Sequence, residues 1–162
     1  MDPVTAFLIG ILMMLANGGV LGLMHRDLPV EMRPAAFSWR VATLLFAMAC
    51  VLFVIQRALP AGFVLPLANG LTMLGFTGYF RALCQFYGRP DKLWILIPAA
   101  IGTAGVGWFA AVQPSIVARI VIVSVTWTVL ALSSTAVLLS PRPPDRARSR
   151  LVLAAIFGMV AI

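Results

Sequence analysis

Residues Phe63 to Lys92 read FVLPLANGLTMLGFTGYFRALCQFYGRPDK. The stretch opens as an uncharged apolar run and ends on a basic corner of Arg81, Arg89 and Lys92, punctuated by Gly88 and Pro90. Such a change marks a passage from hydrocarbon to water, because Lys and Arg collect in loops on the cytoplasmic side of a membrane. The other segments can be oriented from that crossing.

Composition sets the class. The 162 residues are 62% hydrophobic and 10% charged, with a mean hydropathy of +1.03. Soluble domains carry about 25% charged residues, so this chain has too little polar surface to cover its apolar content in water. The net charge of +7 is spread as single arginines between long apolar runs. That pattern excludes a continuous basic face of the kind that binds nucleic acid. The N-terminal Met1-Asp2-Pro3 lacks the basic n-region of a cleaved signal, and the apolar run after it reaches Met24, too long for a signal core. Cys50 and Cys84 fall in or beside apolar runs at different expected depths, and read as small buried hydrophobes rather than a disulfide.

Charge-free runs divide the chain into an expected all-α, polytopic transmembrane bundle. They are Pro3–Met24, Val41–Gln56, Ala58–Phe80, Leu93–Ala118 (with its span taken as 93–112), Ile120–Ser140 and a last run from Leu151 to Ile162. A helix needs about 20 residues to cross about 30 Å of hydrocarbon. The second run is short, and the arginines bounding it can snorkel. The last covers only about 18 Å at about 1.5 Å per residue, so it reads as a sixth span cut off within the sequence.

Ten of the twelve Lys and Arg residues fall in the first, third and fifth loops. Only Arg57 and Arg119 lie in the others. The odd loops are therefore expected in the cytoplasm and the N-terminus outside. A sixth span would run outward, so a seventh is expected to bring a longer protein back to the cytosol. Prolines end the helices: Pro29 and Pro34 around the first loop, Gly88 and Pro90 after the third span, and Pro141, Pro143 and Pro144 after the fifth. On the outer side Leu59-Pro60 and Gln113-Pro114 mark tight turns.

Candidate site residues come from polarity at depth. Asn17 and Asn69 are the most polar residues within the spans, each beside glycines (Gly18, Gly19 and Gly22; Gly70, Gly75 and Gly78). An amide in hydrocarbon needs a partner, so both are expected to face the bundle interior. Two readings follow: a ligand cavity between the first and third helices, with Tyr79 and Trp127 as further walls, or packing glue at helix contacts. Gly102, Gly105 and Gly107 repeat the small-residue theme, and Thr126, Thr128, Ser133, Ser134 and Thr135 can bond back to their own helix. Trp39, Trp94 and Trp108 are expected near the interfaces.

The single histidine, His25, could share a depth with Met24 and Cys84, but no set of ligands stands at metal-binding spacing. All five acids lie outside the runs, so no intramembrane carboxylate is present to relay protons. No nucleophile is accompanied by a positioned base. No catalytic residue and no resident cofactor or metal is expected.

Two stretches together carry a resemblance. The first is His25-Arg26-Asp27-Leu28-Pro29 with Arg33-Pro34 and Trp39. The second is Ala68-Asn69-Gly70 with Gly75, Tyr79, Arg81-Ala82-Leu83, Phe86 and Gly88-Arg89-Pro90. This resembles the N-terminal multi-helix membrane region of bacterial GGDEF-type diguanylate cyclases, over roughly residues 1 to 92. The resemblance implies the sensory or anchoring half of an inner-membrane signalling protein, homodimeric, with a small-molecule or lipid ligand. Its cytoplasmic GGDEF domain would make cyclic di-GMP from GTP with magnesium. No GGDEF motif lies in these residues. The contrasting expectation is a small membrane transporter or a structural membrane subunit.

Overall fold

The computed structural model describes residues 3–23, 27–90, 93–140 and 147–160. Six helices follow one another: α1 (Pro3–Leu23), α2 (Arg33–Ile55), α3 (Ala61–Phe86), α4 (Leu96–Ala111), α5 (Ile116–Leu139) and α6 (Ala147–Val160). Single 3-10 turns stand at Val30–Met32, Gln56–Ala58 and Leu93–Ile95, and there is no strand among the described residues. Four helical stretches are long and apolar enough to cross a membrane: Val30–Ala58, Ala61–Phe86, Leu93–Ala111 and Ile116–Leu139. A helix satisfies its backbone polar groups internally, as hydrocarbon demands. Large apolar side chains, among them Leu12, Met13, Ile101, Ile116 and Val117, stand exposed on the outside of the bundle. In water such a surface would associate; against acyl chains it is at home.

The helices overrun the charge-free runs. α2 begins at Arg33, with Pro34 in its first turn, so Arg40 lies on the helix rather than in a loop before Val41. α3 continues past Arg81 to Phe86. α5 starts at Ile116, before Arg119, where the Ser115 hydroxyl accepts the Ala118 N–H at 3.2 Å. α6 starts at Ala147 rather than Leu151. Charge marks where hydrocarbon ends, whereas a helix runs on until a cap or a proline stops it.

The end of α3 follows the expected glycine stop. Gly88 takes φ 59. The Arg89 N–H donates to the Cys84 carbonyl at 2.8 Å and the Gly88 N–H to that of Gln85 at 3.2 Å. This is the paired C-terminal bonding that only a left-handed residue closes easily, with Pro90 just beyond. Lys92, His25, Met24 and the prolines at 141, 143 and 144 lie outside the described residues.

α3 is the central helix, packed against α2, α4 and α5, while α1 lies on α2 and α6 on α5. Glycines set these approaches. A Cβ added to Gly75 would sit 2.5 Å from the Phe46 ring, and one on Gly78 would sit 2.8 Å from the Ala42 Cβ. Gly70 faces Thr103 of α4, and Gly102 of α4 faces Thr126 of α5 and Met73 of α3. The first and third helices do not share a glycine seam. Gly18 faces Thr43 and Leu44 of α2, and α1 reaches α3 at Met14. The hydroxyls of Thr126, Ser133, Ser134 and Thr135 donate to the carbonyls four residues earlier, as expected.

Gly78→Val should therefore lower the stability of the folded bundle by about 1–3 kcal/mol, the usual cost of overpacking a tight contact. Gly19→Ala, where nothing lies within 4 Å of the new Cβ, should be neutral or slightly stabilising. Unfolding by SDS titration in mixed micelles checks both.

Candidate functional site

A cavity of about 390 Å³ opens where the N-terminal part of α2 meets the C-terminal part of α3. Its walls are Asn17 of α1, Leu28 and Met32 from the turn before α2, Trp39 of α2, Leu83 and Phe86 of α3, and Leu153 of α6. Four helices contribute because the Gly75 and Gly78 contact draws α2 onto α3. One turn further along, the Ser38 hydroxyl donates to Gln85 Oε1 at 2.8 Å and pins the same pair of helices. Asn17 is exposed and stands six residues, or about 9 Å, before Leu23.

Tyr79 lies behind the cavity and joins three helices. Its hydroxyl stands 3.2 Å from Thr43 Oγ1 on α2 and 4.0 Å from Met14 Sδ on α1. Its ring packs on Trp39 with centroids 4.6 Å apart and on Phe46 at 5.6 Å. On the far side it meets Phe157 of α6 edge-on at 6.5 Å. Trp39 is thus both a wall of the cavity and a neighbour of the tyrosine that touches α6.

Asn69 belongs elsewhere. Its Nδ2 donates to the Leu65 carbonyl of its own helix at 2.9 Å. It lines a separate cavity of about 270 Å³ with Val106, Arg119 and Ser124, towards the N-terminal end of α5. Asn17 and Asn69 therefore sit towards opposite ends of the bundle, each lining a cavity that does not include the other. Trp127 lines neither space. Its ring packs against Phe76 at 5.5 Å, and its indole N–H is buried with no hydrogen-bond partner among the described residues. Of the basic corner, Arg81 lies on α3 and Arg89 follows its cap.

Among the described residues no three His, Cys, Asp or Glu side chains converge to hold a metal, and Cys50 and Cys84 form no disulfide. No family model, curated protein or solved structure matches the chain.

Reading the sequence for polarity picked out Asn17 but missed most of the cavity, because its walls are apolar. Ala82, Leu83 and Phe86 stood out only as parts of a familiar pattern, and Trp39 there and as an expected interface residue. Met32, Tyr87 and Leu153 carried no signal, since ordinary membrane side chains do not announce a void.

Two substitutions separate these roles. Tyr79→Phe removes the interhelical hydroxyl contacts to Thr43 and Met14 and should cost about 0.6–1.2 kcal/mol, at a mean of about 0.6 for each such bond in membrane proteins. Trp127→Phe removes a buried donor that has no acceptor. Because an unmet donor costs about 1–3 kcal/mol, much of the lost packing should be offset and stability should change by less than about 1 kcal/mol. Both shifts are read from the same SDS titration.

Proposed function

We propose that the chain is the membrane-embedded sensory or anchoring region of a bacterial inner-membrane signalling protein, governing a cytoplasmic GGDEF domain that makes cyclic di-GMP. Its N-terminus faces the periplasm, the arginine-rich turns face the cytosol, and the protein works as a homodimer. The full-length protein has seven spans, and GTP and magnesium are held by the output domain.

One observation carries this reading. The residues behind the resemblance come from two stretches of sequence far apart, yet Leu28 and Trp39 from the first meet Ala82, Leu83 and Phe86 from the second around one cavity. Leu153 of α6 closes its side. Residues serving only to pack helices together would have no need to surround a space. A ligand that favours one arrangement of these walls shifts the balance between two packings of the bundle by its difference in affinity for them. Trp39, Tyr79 and Phe157 form a continuous aromatic path from the cavity to α6, the helix nearest in sequence to the proposed output domain.

The orientation is tested by single-cysteine labelling in whole cells, in a background lacking Cys50 and Cys84. Gln113→Cys should react with a membrane-impermeant maleimide added outside, and Arg89→Cys should react only after the inner membrane is opened. The reverse pattern overturns the topology. In the full-length protein, Trp39→Ala should shift cyclic di-GMP output at least about threefold while leaving the protein in the membrane, since coupling energies of about 1–3 kcal/mol are typical. Unchanged output overturns the role of this cavity.

A further inference from the structure

We propose that the cavity bounded by Asn17, Trp39, Leu83 and Phe86 takes one acyl chain of an anionic glycerophospholipid, with the lipid phosphate among the arginines at the same end of the bundle. The inference rests on the reading of this cavity as the ligand site and names its ligand.

The walls exclude a polar solute. They are almost wholly apolar, with the Asn17 amide as their main polar feature. A carbonyl or amide ligand of drug-like size is usually met by several convergent polar groups, which this cavity lacks. Its volume of about 390 Å³ falls at the lower end of the range of about 300–1,000 Å³ for ligand pockets, enough for a hydrocarbon chain or part of one.

Access is from the bilayer. Asn17 and Phe86 are both exposed on the outside of the bundle, alongside the apolar side chains that face hydrocarbon. A lipid tail can therefore enter sideways without crossing water.

Charge selects the headgroup. Arg33 donates its Nε to the carbonyl of Leu28, itself a cavity wall, at 3.2 Å. Arg40 follows Trp39 and lies against Gly22 of α1, and Arg81 precedes Ala82 and Leu83. With Arg89, these arginines outnumber the two acids, Asp27 and Glu31, among the described residues at this end of the bundle. Basic pockets between membrane helices at the cytoplasmic side bind anionic headgroups through such an excess.

The test uses the purified chain in mild detergent, exposed to mixed vesicles of equal phosphatidylglycerol and phosphatidylcholine, with bound lipid read by native mass spectrometry. Wild type should retain about one phosphatidylglycerol per chain, favoured over phosphatidylcholine by about tenfold or more. Ala36 also lines the cavity, and Ala36→Phe, which fills it, should lose that lipid. Arg33→Gln combined with Arg81→Gln should keep a bound lipid but retain the two kinds about equally. Equal retention by wild type, or selective retention untouched by the arginine pair, overturns the proposal. The arginine pair leaves the apolar walls in place, so it decides the matter even where Ala36→Phe fails to elute as a single species. Cyclic di-GMP output of the full-length protein is read separately. Selective lipid retention with output indifferent to Trp39→Ala keeps the lipid site and overturns the sensing role. An altered output without selective retention does the opposite.

Discussion

The bundle depends on how closely α2 and α3 approach. Gly75 and Gly78 present bare backbone to Ala42 and Phe46, leaving no space for a Cβ. Apolar side chains gain nothing from each other that lipid tails would not supply, so helices in hydrocarbon associate through close van der Waals packing and a few polar bonds. The glycines supply the first, and the Ser38 to Gln85 bond and the Thr43–Tyr79 pair supply the second. Without that seam Trp39 would not reach Tyr79, and the walls of the cavity would not be assembled.

The same economy of polar groups runs through the other helices. Thr126, Ser134 and Thr135 return their hydroxyl hydrogens to their own backbone, which meets their bonding need inside hydrocarbon without a partner helix. Asn69 does the same with one amide hydrogen. Asn17 differs in standing exposed beside the cavity. Two asparagines that read alike along the chain are therefore chemically distinct in the fold.

Function, on the reading proposed, resides in a junction of helices. The cavity borders α1, α2, α3 and α6, and the aromatic contacts of Tyr79 join its Trp39 wall to Phe157. Packed cores are poorly compressible, so a change in filling at one side of such a junction is expressed as a shift of a whole helix rather than absorbed locally. On that reading the positive charge of Arg33, Arg40 and Arg81, which lie at this end of the bundle, would both orient the chain in the membrane and attract an anionic headgroup.

Helical architecture, membrane character and the stop after Phe86 were legible in the chain alone. Each depends on local chemistry: runs of apolar side chains, the positions of Arg, and a glycine followed by a proline. The helix starts at Arg33 and Ala147 were not legible from charge, since an arginine side chain reaches water while its backbone stays helical. Only the tertiary structure decided that Gly18 of α1 and Gly70, Gly75 and Gly78 of α3 turn to α2 or α4 rather than to each other, that Asn17 and Asn69 part company, and that Trp127 packs on Phe76 rather than lining the cavity with Asn17. A void is defined by side chains from distant parts of the chain, and no single stretch of sequence contains it.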